Sequence, residues 1–301
     1  MKAPKFNYVR ATSIAHALEL LARHGDDAGI LAGGQSLMPT LNMRLSSPKL
    51  LIDINRLDDL AGIRLDGTGA GRSGASPDAT VRIGALARHV EVASSPIVAQ
   101  HLPLIAAAMP HVAHVAVRNR GTFGGSVALA DPAAEMPACL LALQGRIVLE
   151  SAARGRREVA ADDYFHGLYQ TSRQPDEMLI EALIPAETAD TISTFQELSR
   201  RRGDFAMAGV AARTRVVKGT IDDTRLVYFG SEVKPTLGRN AMATAKGKAW
   251  NAGTRSAVLA ALGQDLDPMD NLFGRPATKL HLQRVLTGRA LDEAVAKAAR
   301  T

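Results

Sequence analysis

Two short stretches hold the residue types from which a phosphate cradle is built. TFGGS occupies residues 122–126, with Gly121 before it and Arg118 and Arg120 just upstream, and AGGQS occupies residues 32–36, about ninety residues earlier. Glycine has no Cβ, so a loop built on it admits a close ligand and presents successive backbone N–H groups to an anion. A hydroxyl from Thr122 or Ser126, and the positive end of a following helix, would add to the same site. Phosphate or pyrophosphate suits this chemistry. For one glycine pair, a tight turn between packed elements explains the sequence as well. A second pair changes the balance, because two facing loops would hold a diphosphate from both sides and so a dinucleotide between two sub-lobes. Neither loop has the G-x-G-x-x-G spacing of a Rossmann unit or the G-x-x-x-x-G-K-[ST] spacing of a P-loop.

Each glycine pair follows a short apolar run and precedes a helix-like pattern, so each reads as strand, turn, helix. In the first unit the strand falls near Ile30 and Leu31, the helix runs to about Leu45 with Pro39 early in it, and a strand follows at residues 50–54. Upstream, Ser13 caps a predicted helix through about His24, with Ile14, Ala17, Leu18 and Leu21 on one face and Gly25 as its C-cap. In the second unit the apolar run is residues 115–117, and the helical pattern spans residues 132–143. Between the units the pattern predicts strands at residues 62–65 and 80–84 joined by an exposed Gly/Ser/Pro-rich hairpin loop at 66–78, then helices near 86–93 and 96–108. Strands are predicted at 145–150 and 178–184. From residue 191 the pattern becomes β-rich, with a turn at Lys218 and Gly219, and predicts an antiparallel meander followed by helices near 241–250, 254–262 and from 278 onward.

The chain has 301 residues, 46% hydrophobic and 22% charged, which is enough for two or three lobes with cores of their own. No apolar run reaches the ~18–20 residues of a membrane helix, and the N-terminus lacks a secretory h-region, so a cytoplasmic protein is expected. The formal net charge of +6 admits a nucleic-acid binder, but no dense Lys/Arg tract is present and aromatics make up only 4%. A basic surface facing an acidic cofactor or partner subunit accounts for the charge better. The single cysteine, Cys139, lies in the apolar pattern of Met136, Leu140 and Leu143 and reads as a core residue. One cysteine excludes an intrachain disulfide and a four-cysteine iron–sulfur cluster, so any such cluster must lie on another chain. His111 and His114 stand at i, i+3, but Pro110 and the strand-like run after them argue against a shared helical face, and no carboxylate or cysteine completes a ligand set.

AGGQSLMPTLNMRL at residues 32–45 with LLIDI at 50–54, RNRGTFGGSVALADPAAEMPA at 118–138 and RRRGDFAMAGVAA at 200–212 resemble, in that order, three motifs of the flavoprotein (medium) subunits of molybdenum hydroxylases, the xanthine dehydrogenase and carbon monoxide dehydrogenase family. The resemblance covers essentially the whole chain. It implies an α+β fold: an FAD-binding domain similar to the vanillyl-alcohol oxidase (PCMH) type over residues 1–184, in sub-lobes 1–57 and 58–184, and a C-terminal domain over 191–301 with a three-stranded antiparallel sheet and helices. It implies non-covalent FAD held by Ala32, Gly33, Gly34, Gln35, Ser36 and Leu37 in the first loop and by Thr122, Phe123, Gly124, Gly125 and Ser126 in the second. Many relatives have asparagine where Ser126 stands. Glu135 falls where the family has an acid that hydrogen-bonds a ribose hydroxyl. Asp131 is the other candidate, unless it caps a helix at Pro132. Leu179 matches an apolar position lining the flavin.

The resemblance further implies an electron-transfer subunit with no bond-making acid or base of its own. Its expected partners are a large subunit carrying the molybdenum cofactor and a small subunit carrying two [2Fe–2S] clusters, assembled as a dimer of heterotrimers. Electrons would pass from the clusters to FAD and on to an external acceptor. Where several relatives carry a lysine beside the flavin, Gln196 and Glu197 stand, and Glu197 is read as pointing to solvent. A self-contained flavin oxidase or reductase, favoured by a polar pocket near Gln196 and Arg200, and a non-redox nucleotide-binding module are the alternatives.

Overall fold

The computed structural model describes residues 2–67 and 79–300. Most of the predicted hairpin loop at 66–78 therefore lies outside the described residues. The two strands that flank it, β4 and β5 below, pair antiparallel from Ile63↔Ile83 to Asp66↔Thr80.

A small parallel sheet opens the chain. Its strands are β1 (Asn7–Arg10), β2 (Ala28–Leu31) and β3 (Leu50–Asp53), in the order β1-β3-β2. The central strand is buried along its whole length, as the apolar run in LLID requires for a strand covered on both faces. Helix α1 (Ile14–His24) lies against it. The Ser13 hydroxyl accepts from the His16 N–H at its start, and the Gly25 N–H closes on the Leu21 carbonyl at its end. Helix α2 (Leu37–Asn42) is shorter than the pattern predicted, because the chain turns at Arg44 with φ 59°.

A five-stranded antiparallel sheet follows, built from β4 (Ile63–Asp66), β5 (Thr80–Gly84), β6 (Arg146–Ser151) and β7 (Gly155–Ala160) around a long strand from Glu177 to Pro185. That strand is β10, since the small hairpin β8 (Phe165–Gly167) and β9 (Gln170–Thr171) precedes it. The sequence pattern missed β1 and β7. In β7 the run GRREVA alternates charges with only Val159 buried, so it carries no apolar signal.

The predicted helix over 96–108 is two helices, α4 (Pro96–His101) and α5 (Pro103–Ala108), after α3 (His89–Ser94). Leu102 precedes a proline and takes an extended φ of −132°, which ends the first of them.

The C-terminal meander is β11 (Thr191–Ser199), β12 (Ala206–Val217) and β13 (Thr220–Phe229), with β14 (Thr236–Leu237) and β15 (Lys248–Ala249) adding two residues each along β13. Strand alternation divides its side chains. Ala208, Val210, Ala212, Leu226 and Tyr228 pack with the C-terminal helices, whereas Ala211, Val227 and Phe229 join the core of the preceding lobe. One continuous apolar cluster therefore crosses the seam between the domains.

Candidate functional site

The structure corrects the reading of the second glycine unit. Residues 115–117 are not a strand. They belong to a short helix, α6 (Val115–Arg118), and Val115 is 59% exposed. The pairing partner of the second loop comes instead from the segment after β5. The His89 N–H bonds the Gly121 carbonyl, the Phe123 N–H bonds Ala87 and the Gly124 N–H bonds Ala85. A bulge in β10 after Leu179 leaves the Ile180 carbonyl free to accept from the Ala85 N–H, so the loop is docked on the main sheet through one intermediate segment.

The helix after the glycine pair begins within it. Helix α7 (Phe123–Leu129) is capped by Thr122, whose hydroxyl accepts from the Gly125 N–H at 3.1 Å, and it stops at Ala130 in the left-handed region. Helix α8 (Glu135–Ala142) follows separately. Asp131 therefore caps no helix at Pro132. Its carboxylate accepts from the Ala133 N–H and from the Tyr169 hydroxyl.

This docking uses the donors the sequence had assigned to an anion. The N–H groups of Phe123, Gly124, Gly125 and Ser126 all bond within the chain. The polar group of the second loop that stays partly exposed and bonds no protein group among the described residues is the Ser126 hydroxyl, while Thr122 is buried. The Phe123 side chain is fully buried in the core.

The first loop is the opposite case. Among the described residues, the N–H groups of Gly33, Gly34, Gln35 and Ser36 meet no acceptor. They leave the C-terminal end of β2, the end at which ligands bind in parallel sheets. Gly34 has φ +70°, and a Cβ on Gly33 would stand 2.4 Å from the Arg120 carbonyl oxygen, so only glycine lets the two loops touch. Four free donors in a row beside a close-packed second loop fit a diphosphate.

Two residues that sequence reasoning missed hold the loops together. Asn55 Nδ2 donates to the Ala32 carbonyl at 2.8 Å and to Asp53 Oδ1 at 2.7 Å. Arg88 Nη2 donates to Asn55 Oδ1 at 2.7 Å, and Arg88 Nη1 donates to the Arg120 carbonyl. The chain of bonds thus runs from the end of β3 to the entry of the second loop. Asn55 was discoverable, as a polar residue just past the C-terminal end of a buried parallel strand. Nothing in the sequence around Arg88 marks it. Behind the second loop His89 is buried and neutral, its pKa pushed down to about 4 by burial and by the nearby Arg118 charge.

Leu179 is buried in the core beneath α7. Glu135, the first residue of α8, is 9% exposed, and burial with the Asp131 charge pushes its carboxyl up to about 7. Cys139 is fully buried on the same helix. Glu197 does not face solvent: its side chain is 2% exposed. Gln196 and Arg200 do not line a polar pocket. Gln196 Nε2 bonds Glu293 at 2.9 Å, and Arg200 bonds the Leu272 carbonyl while lying over the Phe273 ring. His111 and His114 lie in the turn before α6, and the described residues contain no group of three His, Cys, Asp or Glu side chains able to hold a metal.

A row of unpaired backbone donors at the end of a small parallel sheet, closed by a second glycine loop, suits the phosphates of a nucleotide, and the sequence matches name the class. Residues 4–187 match the FAD binding domain in molybdopterin dehydrogenase, and residues 193–294 match the CO dehydrogenase flavoprotein C-terminal domain. The chain is 36% identical to the 6-hydroxypseudooxynicotine dehydrogenase complex subunit alpha of Paenarthrobacter nicotinovorans, over 99% of this chain and 97% of that one. It is also 36% identical to the carbon monoxide dehydrogenase medium chain of Hydrogenophaga pseudoflava, over 99% and 100% of the two chains. Its fold superposes on the solved carbon monoxide dehydrogenase from Hydrogenophaga pseudoflava with a TM-score of 0.92, covering 98% of this chain and 99% of that one. The chain belongs to the family of FAD-binding medium subunits of molybdenum hydroxylases.

Proposed function

We propose that this chain is the flavoprotein of a three-component molybdenum hydroxylase, with an FAD that accepts electrons from two [2Fe–2S] clusters on a small subunit and delivers them to an external acceptor. A large subunit with the molybdenum cofactor oxidises the substrate, and two such heterotrimers pair. The observation that carries this reading is the row of unpaired N–H groups at residues 33–36, closed from the other side by residues 120–126.

FAD supplies the one- and two-electron chemistry such a subunit needs. The protein's own task is to bind and orient it. Ala32, Gly33, Gly34, Gln35, Ser36 and Leu37 hold the pyrophosphate by backbone donors. Thr122, Phe123, Gly124, Gly125 and Ser126 close the opposite wall, with the Ser126 hydroxyl as the available polar group. Asp131, only partly buried, is the better acceptor for a ribose hydroxyl, since Glu135 is enclosed beside the C-terminal domain. Leu179 supports the wall from the core. The division into residues 1–184 and 191–301 follows the sheets, the first two of which end at Pro185. A cytoplasmic location is consistent with the lack, among the described residues, of a helix able to cross a membrane.

The test is a visible spectrum and metal analysis of the protein purified natively with its neighbours. Flavin bands, iron, molybdenum and two co-purifying chains are expected. A lone flavin-bearing chain reduced directly by a small substrate would overturn the three-component reading, and a chain that takes up no added FAD would overturn the site.

A further inference from the structure

Two buried carboxyl groups lie on elements that join the domains. Glu197 comes from β11 of the C-terminal domain and Glu135 from the first turn of α8 in the preceding one. The Glu197 side chain is 2% exposed, its Oε2 has no hydrogen-bond partner, and the nearest titratable nitrogen is His111 Nδ1 at 3.8 Å. A cleft of about 350 Å³ opens beside Glu197, lined also by Pro110, His111, Leu198, Arg202 and Gly203. A buried carboxylate with no donor is costly, whereas a protonated carboxyl is neutral and tolerates the site.

We propose that Glu197 and Glu135 form a proton-binding site at the domain seam, served by the cleft at His111. Glu197 keeps its proton while the domains are packed, and the proton leaves to water in the cleft as the solution becomes alkaline. The charged groups around the pair are few. His111, from the turn after α5, has its pKa lowered by burial and by the Arg202 charge. Asp131, before α8, adds to the negative field on Glu135. Cys139 on α8 is buried in the field of Glu135, Glu187 and Glu197. On β11 the neighbouring Gln196 turns away to Glu293. No Lys or Arg makes an ion pair with either carboxyl among the described residues. Burial first, and then the Glu135 charge, push Glu197 up to about 8.

The sign of the pH dependence follows. The folded pKa lies above the usual 4.5, so between about 4.5 and 8 the folded chain binds more protons than the unfolded one. Stability therefore falls as pH rises through that window and levels off above it. The resemblance places Glu135 and Glu197 near the flavin, so flavin content is part of the measurement.

The experiment is an infrared titration of the full chain between pH 5 and 9, with flavin content recorded, alongside denaturant unfolding of wild type and Glu197→Gln. A protonated-carboxyl component that persists at pH 7 and bleaches near pH 8 is expected, and Glu197→Gln should lose it while keeping the Glu135 component of lower midpoint. The ratio of unfolding constants, wild type over variant, should rise about tenfold or more from pH 5 to pH 8. Glu135→Gln should move the bleaching of the Glu197 band to lower pH. A wild-type spectrum with no such band at pH 7, which needs no variant to fold, overturns the proposal. So does a Glu197 band whose midpoint ignores Glu135→Gln.

Discussion

The first and second glycine loops resemble each other in sequence and differ in what their backbones do. At residues 33–36 four N–H groups are free, because the loop leaves the end of β2, where no further strand is available to pair. At residues 123–126 the same kind of backbone is consumed, because residues 85–89 run alongside and Thr122 takes the other two donors, its hydroxyl from Gly125 and its carbonyl from Ser126. The glycines serve different ends accordingly. Gly33 lets one loop touch the other, while Gly124 lets α7 sit on Ala85, whose Cα would lie 2.6 Å from a Cβ there. A glycine pair announces that two backbones come close. Whether one of them belongs to a ligand depends on the neighbours.

The largest expected effect comes from removing the contact between the loops. In Gly33→Ala the new methyl meets the Arg120 backbone, which has no flexible end to yield. A loss of about 1–3 kcal/mol in unfolding free energy is expected, with FAD affinity falling at least about tenfold because the donor row moves with the loop. Gly124→Ala should cost a similar amount in denaturant unfolding but change the FAD Kd of the folded fraction by less than about threefold. Equal losses of FAD affinity in the two variants would erase the distinction between the loops.

Arg88→Ala comes next. It removes donors from the part-buried Asn55 Oδ1 and the exposed Arg120 carbonyl together, at a cost of about 0.5–1.5 kcal/mol. Both loops should loosen, so hydrogen exchange at the bonded Met38 and Phe123 amides should rise in parallel. An increase confined to one loop would show that the Asn55–Arg88 bridge does not couple them. Gly34→Ala acts on the first loop alone. It places a Cβ at φ +70°, a strain of about 1–2 kcal/mol, and should appear mainly as a weaker FAD Kd, since the strained residue lies within the donor row.

The difference between the loops also sets how much was legible in the sequence. The helix over 14–24 showed itself through Ser13, the apolar face and Gly25, all of them local signals. The meander showed itself through alternation and the turn at Lys218 and Gly219. The first loop was legible because β2, its turn and α2 follow one another in the chain. The second was misplaced because its pairing partner, residues 85–89, lies upstream and carries no strand signal, so the nearest apolar run, residues 115–117, was given the part. Glu197 was misjudged for a related reason. Nothing in FQELS tells a surface carboxylate from one enclosed beside Pro110 and His111, far earlier in the chain. Non-local pairing decides both cases, and a single sequence does not display it.

Ser126 offers the smallest and most discriminating test. Its N–H is spent on the Thr122 carbonyl, and its hydroxyl bonds no protein group among the described residues. Ser126→Ala should therefore leave stability within about 0.5 kcal/mol of wild type. If the second loop offers FAD the Ser126 hydroxyl rather than its backbone, the same change should weaken the FAD Kd by about 0.5–1.5 kcal/mol, two- to tenfold. Ser126→Asn, which supplies a longer donor and acceptor, should recover most of that loss. Thr122→Ala serves as the counterpart. It removes the cap of α7 and should cost about 1 kcal/mol in unfolding, whether or not FAD is present. An FAD Kd unmoved in Ser126→Ala would mean that the second loop acts only as a wall and that the first loop alone grips the cofactor.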